Sequence, residues 1–131
     1  MSFQNQFTKT TTDANLMETV HHGSAEYPFR YYYENIALFD FKCIDWHWHS
    51  ELEFIYIESG NVVFDIGTVH FELNEGNGIM INSKILHRLQ SSSDAIIPNF
   101  LFQPSFIAPQ DSLIYKKYIN PVISSSLEYL V

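Results

Sequence analysis

Residues 46–53 read Trp46-His47-Trp48-His49-Ser50-Glu51-Leu52-Glu53, and a glycine follows at Gly60. Side chains two apart on an extended strand share a face, so His47 and His49 project side by side into one space. Glu53 joins them if the strand continues after a small irregularity near Ser50. Two imidazoles and a carboxylate converging on one point form a set that a divalent transition metal accepts. By the same alternation Trp46 and Trp48 face away from the histidines, toward an inter-sheet core or a protomer interface.

Working outward, residues 52–58 (LEFIYIE) form a mostly apolar strand, with Glu53, Ile55 and Ile57 facing inward and Phe54 and Tyr56 outward. A shorter strand, residues 43–47, precedes it. Residues 62–66 and 69–73 flank Gly67-Thr68 as a hairpin. In its second arm Val69, Phe71 and Leu73 alternate with His70 and Glu72, so His70 points to solvent. Glycine-bearing residues 74–78 turn the chain into Ile79-Met80-Ile81, and residues 85–89 bring in His87. Residues 95–103 form a strand whose Pro98 suits an edge or a bulge.

Before residue 27 there is no sustained period, and the segment reads as a loosely ordered arm. Its adjacent His21 and His22 would face opposite ways on a strand and are poorly placed to share a metal; exposure or local hydrogen bonds account for them. After Pro109, Asp111 or Ser112 caps a helix over LIYKKYI. Asn120-Pro121 then opens a second, with Val122, Ile123, Leu127 and Leu130 at helical spacing. That helix is unfinished at Val131, so the natural chain is expected to continue. The division is arm 1–26, β-barrel 27–108 and helical segment 109–131. Short strands joined by tight turns and followed by helices make a mainly β, antiparallel barrel or two-sheet sandwich.

The 131 residues suffice for one domain with one core. The 16% aromatic content favours β-structure. A net charge of -8, spread along the chain, argues against this piece contacting nucleic acid or an anionic membrane by itself. Cys43 is the one cysteine and reads as a small buried hydrophobe. It cannot form an internal disulfide, and the first twenty residues lack a signal-peptide stretch, so the expected setting is the cytoplasm.

His47, His49, Glu53 and Gly60, joined by a later His87, resemble the two motifs of the cupin superfamily. The first motif matches at every spacing. In the second, Gly76 and His87 are in place, but Asn82 and Lys84 stand where proline and glycine belong. The runs HWHSELEFIYIESGNVVFDI, EGNGIMINSKILH and FLFQPSFI…IYKKYINP together resemble the N-terminal regulatory domain of AraC-type transcription regulators, over about residues 21–131. The resemblance implies a cupin-like double-stranded β-helix, or jelly-roll barrel, with C-terminal α-helices. It also implies a domain that senses a small effector, a sugar among the candidates, and that forms homodimers through the helices after the barrel. DNA binding would belong to a helix-turn-helix part absent from these residues.

His47, His49, Glu53 and His87 carry two readings. They hold a divalent transition metal (Zn, Ni, Fe, Mn or Co), or they form a hydrogen-bonded polar cluster lining an effector pocket, with Tyr31, Tyr33 and Phe64 as stacking candidates. A small metal-dependent cupin enzyme, a dioxygenase or isomerase, is the alternative to a sensor; the ligand set alone supplies no chemistry. Arg88 and Glu51 read as solvated residues at the rim and at a bend.

Overall fold

The computed structural model of the chain describes Phe3 and residues 6–131. Among the described residues nine strands run in chain order: β1 (Phe29–Asn35), β2 (Cys43–His47), β3 (Leu52–Tyr56), β4 (Asn61–Ile66), β5 (Val69–Asn74), β6 (Gly78–Ile81), β7 (His87–Gln90), β8 (Ile96–Phe102) and β9 (Tyr129–Leu130). They form two antiparallel sheets, one ordered β1-β8-β3-β6-β9 and the other β2-β7-β4-β5. The inward positions of both sheets, with Ile36 and Ile57 just beyond strand ends, build one apolar core that includes Ile55, Val62, Phe64 and Ile81. This is the mainly β two-sheet arrangement that the short strands and turns implied, and it agrees with the jelly-roll that the cupin resemblance implied.

The expected hairpin is present, with Ile66 opposite Val69 around the Gly67-Thr68 turn. Gly60, the glycine of the first motif, has φ +83, and a Cβ there would lie 2.5 Å from the Asp94 carbonyl oxygen. Only glycine meets both demands without strain. Pro98 lies in β8, which is flanked on both sides by β1 and β3 rather than being an edge. Pairing with β3 stops at Ile55 opposite Asn99 and resumes out of step at the Ser59–Ile96 bridge. Pro98 therefore sits at an irregularity, where its missing N–H costs no ladder bond.

β2 carries a second irregularity. Its register against β7 shifts between Ile44 and His47. Ile44 packs on the core and His47 is buried, although they stand three positions apart and plain alternation would put them on opposite faces. The extra residue turns His47 inward. The break expected near Ser50 is also present, as the bend at residues 50 and 51 between β2 and β3.

The C-terminal segment differs from the expected pair of helices. Ser112 does cap a helical run, its Oγ accepting from Tyr115 N. That run takes a π-helical turn at Tyr115–Ile119 and ends as the single α-helix α1 (Asn120–Ile123). Pro121 has no N–H to continue the ordinary ladder. The preceding Asn120 N–H reaches back to Tyr115 O instead. Leu127 and Leu130 do not extend a second helix: the chain reverses, and Tyr129–Leu130 pairs with Met80–Ile81 as β9.

Residues of the arm are laid against the barrel by hydrogen bonds. Gln6 exchanges two with the Asn35 backbone, Asp40 N donates to Thr8 O, and Glu18 N and Trp48 Nε1 donate to Trp48 O and Asn15 O respectively.

Candidate metal centre and interior cavity

The four motif residues meet between the two sheets. His47 ends β2 directly opposite His87 in β7, Glu53 comes from β3 across the barrel, and His49 lies in the short crossing between sheets. All four are buried. One ligand atom from each lies within 4.8 Å of those of the others.

The second nitrogen of each ring fixes its tautomer. His47 Nδ1 is 2.7 Å from Asp45 O, His49 Nδ1 is 3.1 Å from Glu51 O, and His87 Nδ1 is 2.8 Å from Ile85 O. A carbonyl can only accept, so each Nδ1 carries the hydrogen and donates it. Every Nε2 is left to present a lone pair inward unless it takes an additional proton. Metal-binding histidines are oriented in this way by their outer nitrogen.

The Glu53 Oε1 atom faces two of those nitrogens, His49 Nε2 at 3.1 Å and His87 Nε2 at 3.2 Å. Lone pairs on three such atoms repel unless positive charge lies among them. A proton can supply it at one ring; a dication can supply it to the whole set. Burial pushes the Glu53 carboxyl up, but the hydrogen bonds and charges of His49 and His87 outweigh burial and hold it well below the usual carboxylate range. Burial pushes His49 down, and its contact with Glu53 more than reverses this. His47 is driven down to about 3, chiefly by burial and then by the neighbouring His87, so it stays neutral. Three imidazole nitrogens and one carboxylate suit the borderline metals Zn, Fe, Mn, Ni and Co.

Beside this cluster lies a cavity of about 40 Å³, bounded by His47 and Glu53, by Glu34 and Asn99 of the sheet, and by Glu18 and His22 of the arm. Tyr31 and Tyr33 are elsewhere. In β1 it is Tyr32 and Glu34 that turn inward, which leaves Tyr31 and Tyr33 on the outer side. Tyr33 OH donates to Glu58 Oε2 and its ring stacks on Phe3, while Tyr31 lines an outer groove with Phe54 and Tyr56. Phe64 packs on Phe71 within the apolar core and is not on the cavity wall.

Several surrounding residues depart from the sequence reading. Glu51 is only 6% exposed and lies 3.9 Å from His49 Nδ1, rather than on the surface. Its odd number continues the buried series 47, 49, 51, 53, 55, 57, a signal that alternation alone could have supplied. Arg88 is not simply solvated: its guanidinium makes two bonds to Asp65 Oδ2 and lies 5.1 Å from the centre of the Trp46 ring. Trp46 and Trp48 are half-buried under Arg88 and the arm instead of in an inter-sheet core. His70 is exposed, as expected, and pairs with Asp65. His22 is buried and locally bonded, its Nδ1 2.6 Å from Tyr32 OH and its Nε2 against Glu18, whereas His21 is exposed.

The degenerate second motif has a structural answer. Lys84 adopts φ +64, the conformation of the glycine it replaces, and its N–H donates to His49 O. Asn82 is buried, and its Nδ2 donates to both Val122 O (3.0 Å) and Leu127 O (2.7 Å). The residue standing for proline thus binds the C-terminal segment to the barrel.

The AraC-like ligand binding domain family matches residues 38–108. Over 121 residues, 90% of this chain, the sequence is 33% identical to an uncharacterized HTH-type transcriptional regulator of Bacillus subtilis (strain 168), YdeC. The chain spans 41% of that relative's length. Among solved structures, an RmlC-like cupin from Shewanella frigidimarina NCIMB 400 superposes with a TM-score of 0.52 at 14% identity, over 58% of this chain and 67% of that one. A Neisseria meningitidis protein does so with a TM-score of 0.50 at 14% identity, over 58% and 75%. At these identities the two likenesses establish the cupin fold alone.

Proposed function

The chain belongs to the AraC-like ligand binding domain family, and we propose that it is the sensing part of a longer transcription regulator whose interior site is built on a divalent transition metal. The observation that carries the metal reading is that His47, His49 and His87 each commit Nδ1 to a carbonyl, that His49 and His87 turn Nε2 to Glu53, and that all four residues offer ligand atoms within 4.8 Å of one another. When bound, the metal would supply a fixed positive charge and an open coordination position for a small ligand. As a regulator's ligand-binding domain the chain is not an enzyme. Solved cupins support the dioxygenase or isomerase alternative only at the level of fold.

The effector class follows from size. A cavity of about 40 Å³ accommodates an ion with one or two waters, on the basis that each water needs roughly 10–15 Å³ of such space. A sugar needs several times more room, so a sugar effector would have to displace arm residues that bound the cavity, among them Glu18 and His22. Tyr31, Tyr33 and Phe64 would not stack on it in this arrangement.

We further read residues 1–26 as the arm, 27–108 as the sensing barrel and 109–131 as a segment joining protomers, in a homodimer acting in the cytoplasm. Leu113, Ile114 and Tyr118, all exposed on the helical run, support the last assignment. DNA contact would fall to parts of the full regulator outside these residues. Among the described residues no helix is long and apolar enough to cross a membrane.

Elemental analysis and calorimetric titration test the site. The expected result is one equivalent of Zn, Ni, Co, Mn or Fe(II) per chain, lost in His87→Ala. A panel of monosaccharides serves as the competing arm. Saturable sugar binding to metal-stripped protein, undisturbed by His87→Ala, would replace the metal reading with a plain polar pocket.

A further inference from the structure

Glu18 is an arm residue whose side chain borders the interior cavity beside His47 and Glu53. Its side chain is 13% exposed although it belongs to a segment otherwise mostly on the surface. Hydrogen bonds between Glu18 N and Trp48 O and between Trp48 N and Leu16 O seat this part of the arm beside the strand end that carries His47 and His49.

A three-residue relay orients the carboxylate. Tyr32 OH lies 2.6 Å from His22 Nδ1, and His22 Nε2 meets Glu18 Oε1. The carboxylate accepts, so His22 donates from Nε2 and receives the Tyr32 hydroxyl proton at Nδ1. The second Glu18 oxygen has no donor among the described residues. Carboxylates that bind metals are themselves commonly held by such outer hydrogen bonds.

Carboxyl groups gather around the cavity. Glu18, Glu34 and Glu53 all border the same space of about 40 Å³. Lys9 also borders it, but its ammonium turns outward to Asp40, 3.9 Å away, with the side chain 73% exposed. Buried like charges oppose one another unless a cation stands between them.

We propose that Glu18 completes the metal centre from the arm, its free oxygen taking the open side of the dication directly or through one water. Docking of the arm and occupancy of the site then become a single equilibrium, since a ligand that binds only the docked form stabilises it. The inference rests on the metal reading of His47, His49, Glu53 and His87.

The experiment compares wild type, Glu18→Gln and His87→Ala in the same chain, with Zn²⁺ as probe. Two quantities are read: zinc affinity by chelator competition, and amide hydrogen exchange over residues 8–22 with and without zinc. Glu18→Gln keeps an acceptor for His22, so the relay and the fold are retained. The expected result is zinc binding in Glu18→Gln weakened roughly tenfold or more, and zinc-dependent protection of residues 8–22 in wild type alone. Unchanged affinity in Glu18→Gln, or arm exchange indifferent to zinc in wild type, overturns the role of Glu18 while leaving the four-residue site standing. Failure of wild type to take up zinc, or full affinity in His87→Ala, removes the site itself and this proposal with it.

Discussion

Buried beside Asn99, the Glu34 carboxyl is pushed up to about 7, first by burial and then by Glu53 and Glu18, against the pull of its hydrogen bond from Asn99. Its folded value lies above its unfolded one, so its contribution to stability is full below about pH 4.5 and is lost as pH rises through 7. The whole effect is on the order of 3 kcal/mol, at 1.4 kcal/mol per pH unit. Glu34→Gln should therefore gain stability over wild type at pH 8 and flatten the decline between pH 5 and 8, as measured by urea denaturation across pH. Equal slopes would show that Glu34 is not the group responsible. Lys84 offers a second single-residue test. A non-glycine residue in the left-handed region costs roughly 1 kcal/mol, so Lys84→Gly should raise the thermal midpoint. The motif histidines and Glu53 were legible in sequence because spacing two apart has a fixed geometric meaning on a strand. Glu18, His22 and Tyr32 were not, because their meeting depends on where an aperiodic arm lands. Tyr31 and Tyr33 were misleading for a related reason: in FRYYYEN both faces carry aromatic rings, and the charged Glu34 turned inward to border a polar cavity.

At the scale of elements, two local features decide how the site and the tail are held. The register shift in β2 turns His47 into the barrel. Composition cannot reveal it, since Asp45 and Trp46 carry no glycine signal at that point. The turn after β6 is the other. Asn82 Nδ2 serves two carbonyls of the tail, Asn82 N meets no strand partner but donates to Glu128 O, and Ser83 N donates to Asn82 Oδ1. Asn82→Ala removes both side-chain bonds to the tail and should cost about 1–3 kcal/mol, at about 0.5–1.5 kcal/mol net for each hydrogen bond. Denaturant titration gives the magnitude, and hydrogen exchange should place the first opening at β9. A loss below 0.5 kcal/mol would mean that water replaces the clasp. The tail was misread as a second helix because Val122, Ile123, Leu127 and Leu130 satisfy helical spacing. What sequence spacing could not show was the competing open edge of β6, which β9 occupies.

For the whole molecule, the sandwich was legible from the density of short apolar runs and turns. The packing of the arm and the association of protomers were not, since both depend on surfaces without period. Leu113 and Tyr118 are 76% and 62% exposed on the helical run. If that run joins two copies, the double variant Leu113→Asp, Tyr118→Asp should keep its thermal midpoint while sedimentation equilibrium shifts toward the monomer. An unchanged dimer would direct attention to the outer groove containing Phe54, Tyr56 and Phe100, an apolar surface of the sheet that β9 joins. The Asn82 clasp has a mechanical consequence as well. A pull applied through Val131 would reach β9 and then the turn at residues 82–84. Lys84 N in that turn holds the His49 carbonyl. Tension on the tail would thus be delivered to the backbone of a residue of the four-side-chain cluster before it reached the apolar core, making this turn the point where force and chemistry share one hinge.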